Sequence, residues 1–594
     1  MENRQVKETN TGQVEVKRMV KQAAVLQIGA KTLLDCLVEQ GIDTIFGYPG
    51  GTILSIYDEL VKYKDKIKHI LTAHEQGASH AADGYARATG KTGVCFATSG
   101  PGCTNLTTGI ASAYYDSSPV VYITCNVTHG QLGRDGFQEV DICGITKPIT
   151  KANYQIGYAS DIPNIVREAF AVARSGRPGP VLIDIIKDVT NEVAAYTPMA
   201  KKDHPHHVRF ANHLNRGPKD LITPKANPRD IRIFHEMVGN SRKPMVICGG
   251  GVVLAKAHEE FFEFATKLDA PVAITTRGAG GFPGTHPLTT GMIGMHGSVT
   301  SNLAVDTCDL IIAVGCRFSD RVGLNFDTFA QNANIVHIDI DKKEINKNIR
   351  THHHILGDAK EVLSTINAGL AHEDCSQWRE EVFAIHKEIE YESHPGTVTP
   401  KEAFECITQS LGKNFRVSTD VGQHQMWTIQ HLNFTYSGQL LTSLGFGAMG
   451  FGLGAAIGAK VAYPDDMVVH ITGDGSFLMN CNELVTCSKY QIPILTIIFN
   501  NKTLGMVRQW QNLIYGKNFS ESTMDKGPDF ELLAKAYHLN GRRVTNASDL
   551  RDALKEAKAS IAQGIGFVID LAVYQDEFVK PMVKAGAHIT DFTL

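Results

Sequence analysis

The sequence has no Cys-x-x-Cys pair, no excess of one charge, and no apolar run near the about 18 residues that a membrane-spanning helix needs. Its 12 cysteines are scattered without the spacing of a disulfide framework, which leaves them as reduced core residues of a cytosolic protein. A formal net charge of −4 on 594 residues gives no electrostatic footing for nucleic acid or an anionic membrane. The first 22 residues mix Lys and Arg with Glu2, Glu8 and Glu15, so they match neither a signal peptide nor a transit peptide. Residues 1–24 are expected as a disordered tail and the protein in the cytoplasm. Two histidine groups, His204/His206/His207 and His352–His354, sit in polar connecting sequence without partnering Cys or carboxylates, and are expected on solvated surface. The glycine turn Gly249–Gly250–Gly251 lacks the G-x-G-x-x-G pattern, so dinucleotide binding does not follow from that turn alone.

What is present is alternation of strand-like and helical segments with glycine turns between them. Residues 25–194 read as one α/β domain, 226–370 as a second and 399–575 as a third, joined by linkers at 195–225 and 371–398 and ended by a tail at 576–594. The most informative stretch is in the third domain. Met467–Thr472 is a β-rich run, Gly473-Asp474-Gly475-Ser476 a turn, Phe477–Tyr490 a segment with helical apolar spacing, and Ile492–Phe499 a buried strand that ends at Asn500-Asn501. Asp474 and Asn501 thus stand at the ends of neighbouring strands and offer hard oxygen donors of the kind Mg²⁺ takes. Gly473 and Gly475 let an anion approach the backbone where the next helix begins. Strand, turn, helix and paired asparagines in this order resemble the thiamine-diphosphate motif.

Other candidates take meaning from that motif. Glu75 follows a buried strand and leads into a helix read over Ala78–Ala88. Alone it is a cap or half of an ion pair, but a thiamine site calls for a carboxylate at the aminopyrimidine nitrogen N1′. Gly47–Gly51 is a turn whose backbone something approaches. Gly130–Asp141 is a polar loop with Phe137 at its centre, the pattern of a binding element. Arg317 and Arg321 follow a strand that ends at Gly315, and read equally as surface charges or as a clamp for a diphosphate or carboxylate. Met449 sits among glycines and alanines in the glycine-rich run Gly445–Gly458, and reads as a wedge beneath a bent cofactor. Trp510, one of only three tryptophans, reads as a pocket wall.

Together the stretches Gly47–Ile53, His74–Gly90, Ser99–Asn105, Asp135–Asp141 with Pro148–Lys151, Gly278–Gly297, Arg317–Arg321, Gly422–Trp427, Thr442–Ala459 and Gly505–Trp510 resemble the large catalytic subunit of acetolactate synthase, over about Ile28–Val583. The resemblance implies three doubly wound parallel-sheet domains of the thiamine-diphosphate enzyme type, binding pyrimidine, FAD and diphosphate with Mg²⁺ in turn. It implies decarboxylation of pyruvate on thiamine diphosphate and transfer of the hydroxyethyl carbanion to pyruvate or 2-ketobutyrate, the first common step of branched-chain amino-acid synthesis. It assigns Asp474, Asn501 and the carbonyl of Thr503 to the metal, and Gln423, His424, Gly473, Gly475 and Ser476 to the diphosphate. Gly249, Gly250, Met295, His296, Arg317 and Asp358 fall to FAD. Glu75, Gly51, Phe137, Gln138, Lys151, Arg321, Trp510 and Met449 form the reaction site, with Arg321 and Trp510 receiving the second keto acid. A homodimer or tetramer is implied, in which Glu75 of one subunit serves the cofactor of another; a separate regulatory small subunit is left open. Departures from the family pattern fall at Asn126, Thr128, Gly136, Arg277 and Ser319, the last two bearing on FAD affinity. The competing readings are another thiamine enzyme, such as a pyruvate oxidase or sulfoacetaldehyde acetyltransferase, and a cofactor-binding regulatory homologue without turnover.

Overall fold

Runs such as Val120–Asn126, Val181–Ile186 and Leu495–Asn500 are apolar on both faces and buried throughout, the signature of interior parallel strands. The structure, a computed structural model, describes residues 6–8, 14–16, 23–199, 222–385, 387 and 389–593. It contains three six-stranded parallel sheets, each covered by helices. In the first the strand order is 68–71, 44–47, 93–97, 120–126, 181–186, 152–156. In the second it is 289–292, 272–274, 244–248, 310–314, 334–339, 353–356. In the third it is 440–442, 416–419, 468–473, 495–500, 567–572, 540–544. Among the described residues no helix is long and apolar enough to cross a membrane.

The first and third domains meet through helices Glu75–Thr89 and Phe451–Ala462. Their facing positions are glycine and alanine, so the backbones approach closely. A Cβ on Gly454 would lie 2.7 Å from the Cβ of His80, and one on Gly84 would strike the backbone of Ala455. Arg87 is buried at this seam between Asp83, at 2.7 Å, and Asp116, at 3.1 Å, and donates to the carbonyl of Thr442. A buried cation with two carboxylates and a carbonyl is fully satisfied, and fixes the register of one domain on the other.

Several boundaries differ from expectation. The helix after Gly473 begins at Asp474 instead of Phe477, because a carboxylate at the first helical position complements the helix N-terminus despite the poor intrinsic propensity of Gly-Asp-Gly. Residues 371–398 include the helix Ser376–Phe383, anchored where the Trp378 indole donates to the carbonyl of Pro244 at 3.0 Å. Residues 576–594 do not trail: Met582–Val583 pairs with Phe592–Thr593, and the amide of Val583 donates to the carbonyl of Met295. Residues 195–225 do not open as a linker, since Val193–Tyr196 pairs antiparallel with Val25–Ile28. Within residues 1–24, Val6–Glu8 and Val14–Val16 form an antiparallel pair, and the rest of the expected tail lies largely outside the described residues. His204, His206 and His207 lie outside them too. His352 and His354 are exposed as expected, although His353 and His354 belong to an edge strand paired to residues 336–337 instead of connecting sequence.

Candidate functional site

Strands 468–473 and 495–500 are neighbours, so their carboxyl ends bring Asp474 and Asn501 to one corner of the third domain. Asp474 is 5% exposed and forms no ion pair among the described residues. Burial pushes its carboxyl up to about 7, against the pull of the Gly475, Asp474 and Lys502 amides. A carboxylate so desolvated is stabilised by a cation. Asn501 is held from both sides: its Nδ2 donates to Gln423 Oε1 at 3.1 Å and its Oδ1 accepts from the Thr503 amide at 3.1 Å. Thr503 Oγ1 and His424 Nε2 are buried without hydrogen-bond partners. His424 is kept neutral, its pKa pulled down to about 4 by burial. Among the described residues no three His, Cys, Asp or Glu side chains gather into a metal cluster. A cation at this corner is therefore completed by neutral oxygens and by the anion it carries, a donor set that fits Mg²⁺ with a diphosphate.

Gln423 departs from its expected role. Its Oε1 accepts from Asn501, and its Nε2 donates to Gln509 Oε1 at 3.0 Å and to the carbonyl of Glu577 at 2.8 Å. With both amide hydrogens used inside the chain, the side chain positions Asn501 instead of donating to a ligand. Ser476 donates to the carbonyl of Val421 at 3.1 Å, and a Cβ on Gly473 would lie 3.0 Å from His424 Nδ1.

A cavity of about 920 Å³ opens between the middle and third domains, reached also by Tyr115, Arg174 and Arg177 of the first. Its walls include Met449, Trp510, Arg321, Met295, His296 and Asp358, together with Gly250 and Arg317. Arg321 Nη1 lies 3.0 Å from Met295 Sδ, and its Nε stands 3.8 Å from Asp320 Oδ2 in a solvent-exposed pair. His296 Nδ1 is buried without a partner, and burial holds the ring neutral. Asp358 caps the helix Ala359–Gly369 by accepting the amides of Lys360 and Glu361. Gly249 is needed for packing as well as for a ligand, since a Cβ there would strike the Gly315 carbonyl. Volume, glycine cradle and unpartnered polar atoms fit a dinucleotide such as FAD.

Of the remaining predicted residues, Glu75, Gly51, Phe137 and Gln138 form a second group in the first domain, outside this cavity. Glu75 is the first residue of its helix and nearly buried, and Asn105 Nδ2 donates to its Oε2 at 3.0 Å. Gln138 has a φ of +63° and packs on Gly100, while a Cβ on Gly50 would collide with Thr98. Phe137 is 86% exposed, and no atom lies within 4 Å of a Cβ on Gly51. Lys151 belongs to neither group. Its buried ammonium donates to the carbonyls of Val172 and Ser175 at the end of helix Ile162–Arg174, so the expected pocket role gives way to a cap.

Sequence reasoning missed Asn105 and Glu483. Glu483 comes from the third domain, yet accepts the amides of Ala73 and His74, each at 3.0 Å, and the Thr486 hydroxyl at 2.6 Å. No local pattern links positions so far apart in the chain.

Metal corner, glycine cradle and three parallel sheets define a thiamine diphosphate enzyme, and family models agree: residues 28–145 match the N-terminal thiamine pyrophosphate binding domain, 231–366 the central domain and 420–570 the C-terminal binding domain of thiamine pyrophosphate enzymes. Among curated proteins, the chain is 43% identical over 579 residues to a probable acetolactate synthase large subunit of Methanocaldococcus jannaschii, covering 95% of this chain and 94% of that one. It is 41% identical over 562 residues to the acetolactate synthase isozyme 2 large subunit of Escherichia coli, covering 94% and 98%. With the acetolactate synthase large subunit of Cyanidium caldarium it shares 43% over 581 residues, covering 95% and 96%. The chain belongs to the acetolactate synthase large-subunit family.

Proposed function

We propose that each active site is completed by two copies of the chain, the cluster around Glu75 of one meeting the metal corner and cavity mouth of its partner. The chain is a thiamine-diphosphate-dependent acetolactate synthase that uses Mg²⁺ and FAD, and it joins two 2-keto acids with loss of CO₂. One observation carries the dimer reading. Within a single chain Glu75, Gly51, Phe137 and Gln138 do not line the cavity that holds Met449, Arg321 and Trp510, and Phe137 is left largely bare.

In this reading Asp474, Asn501 and the Thr503 carbonyl hold the cation, while neutral His424 and the amides of Gly475 and Ser476 receive the diphosphate. Thiamine diphosphate, when bound, supplies the electron sink for decarboxylation of a 2-keto acid. Glu75 holds a proton at the aminopyrimidine nitrogen N1′, steadied by Asn105. Met449, on the cavity wall, would support the cofactor by contact. Arg321 orients a keto-acid carboxylate by its paired donors, and Trp510 bounds the space for the alkyl group. The names of the relatives support a separate small subunit as a further partner.

Product analysis with pyruvate, thiamine diphosphate, Mg²⁺ and FAD, with and without 2-ketobutyrate, tests the reaction. Acetolactate, joined by acetohydroxybutyrate when 2-ketobutyrate is added, is expected. Acetyl phosphate with peroxide, or no CO₂, overturns it. Mixing E75Q with D474N tests the shared site. Each variant alone is inactive, and subunit exchange is expected to restore up to about a quarter of wild-type activity, since a mixed dimer holds one intact site. No recovery after demonstrated exchange overturns the shared-site reading.

A further inference from the structure

The middle sheet grows in two directions from strand 244–248. The chain adds 272–274 and 289–292 on one side, then 310–314, 334–339 and 353–356 on the other. Dinucleotides bind outside the carboxyl ends of the strands at such a switch point, with the diphosphate against the glycine turn. Here that turn is Gly249–Gly251 beside Gly315, crossing so closely that a Cβ on Gly251 would lie 2.6 Å from the Gly315 Cα. Arg317 follows strand 310–314 on one flank and Arg277 follows strand 272–274 on the other, and both line the cavity. The stem of Arg277 runs over the turn, with its Cγ 2.5 Å from where a Cβ on Gly250 would stand.

Neither guanidinium forms an ion pair among the described residues. Arg277 Nη2 donates to the carbonyl of Asp116 at 3.1 Å and Arg317 Nη1 to that of Tyr115 at 2.7 Å, adjacent groups at the end of helix Thr107–Tyr115. The nearby Asp116 carboxylate is already engaged by Arg87 and by the amides of Leu444 and Gly445. The Nε of Arg277 is buried with no partner. Burial, and then repulsion from Arg87, lower its pKa to about 10. A buried donor on a cation, left free at the position where a dinucleotide carries its charge, calls for an anion.

We propose that Arg277 is a further cofactor-binding residue, which with Arg317 clamps the diphosphate of the flavin dinucleotide across the switch point of the middle sheet. The inference rests on the flavin assignment and adds a residue to it. Flavin fluorescence titrations of the purified protein with FAD and with riboflavin, which has no phosphate, test it on wild type, R277L and R277Q. The expected result is a ten- to hundredfold weaker Kd for FAD in R277L, the scale of a charge-assisted hydrogen bond, with the Kd for riboflavin unchanged. R277Q keeps a polar head and is expected to lose FAD affinity in the same sense, and it decides the case if R277L does not fold. Equal FAD affinity in wild type and variants overturns the proposal while leaving the flavin assignment standing. So does a parallel loss for FAD and riboflavin. Absence of FAD binding by the wild type overturns the assignment itself.

Discussion

The Glu483 carboxylate of the third domain accepts the backbone amide of His74 in the first, 3.0 Å away, one residue before Glu75. Its other oxygen takes the amide of Ala73, and a Cβ on Gly77 would collide with the same side chain. The start of the Glu75 helix is thereby fixed by a residue from another domain. E483A leaves two part-buried amides without acceptors, and is expected to cost about 1–3 kcal/mol of stability. It should also lower kcat more than it raises KM for pyruvate, because Glu75 is displaced while the cavity is not. Urea unfolding and steady-state kinetics of the same preparation check both; an unchanged kcat refutes the coupling.

His80 is fully buried between the two interface helices, against the ring of Phe451, and Nδ1 has no partner. Burial holds its pKa down to about 4. In the unfolded chain it takes a proton near pH 6.5, so as pH falls below that value the unfolded state binds more protons and stability declines. The contribution is complete above pH 6.5 and is lost progressively toward pH 4, amounting to at most about 3 kcal/mol. H80L is expected to flatten the stability curve between pH 6.5 and 4, measured by urea midpoints. A variant with the wild-type slope places the proton elsewhere.

Lys151 tests a role that family resemblance and structure read differently. The ammonium is enclosed by the carbonyls of Val172 and Ser175 and does not reach the cavity. K151M keeps the stem and removes the donors, so it should lower the thermal midpoint while leaving the ratio of acetohydroxybutyrate to acetolactate unchanged. A shifted ratio with an unchanged midpoint would return Lys151 to the substrate pocket.

Strands Val468–Gly473 and Leu495–Asn500 stand within a few residues of the predicted runs Met467–Thr472 and Ile492–Phe499, because buried parallel strands announce themselves as short apolar runs between turns. Asp474 and Asn501 were legible for the same reason: each sits one step past such a run. The Glu75 helix was legible only from Ala78 onward, since His74-Glu75-Gln76 has no apolar rhythm and its start is set by the His74 cap and by Glu483. The cap made by Lys151 and the bridge made by Gln423 were hidden because tertiary hydrogen bonds have no sequence period. The C-terminal residues 576–594 looked like a tail, being short and polar, yet Val579, Met582, Val583 and Ile589 are buried against neighbouring domains.

Trp510 lines the cavity together with Met449 and Arg321, on the helix Gly505–Leu513 that follows the metal corner. The helix is fixed at its base. Gln509, next to Trp510, donates to the carbonyl of Val579 and accepts from the Gln423 amide, while Arg508 pairs with Asp576 at 2.7 Å. The indole therefore has little freedom to swing away, and in the proposed reading the space beside it admits or refuses an extra methylene. Contact with one methylene is worth about 1–3 kcal/mol. W510L is expected to lower the preference for 2-ketobutyrate over pyruvate as acceptor by about tenfold, without weakening binding of thiamine diphosphate. Competition assays that supply both keto acids and quantify the two products check the first effect, and fluorescence titration of the cofactor checks the second. If the product ratio is unchanged, the acceptor's alkyl group is bounded by another wall of the cavity, and Trp510 serves only to pack the helix behind the metal.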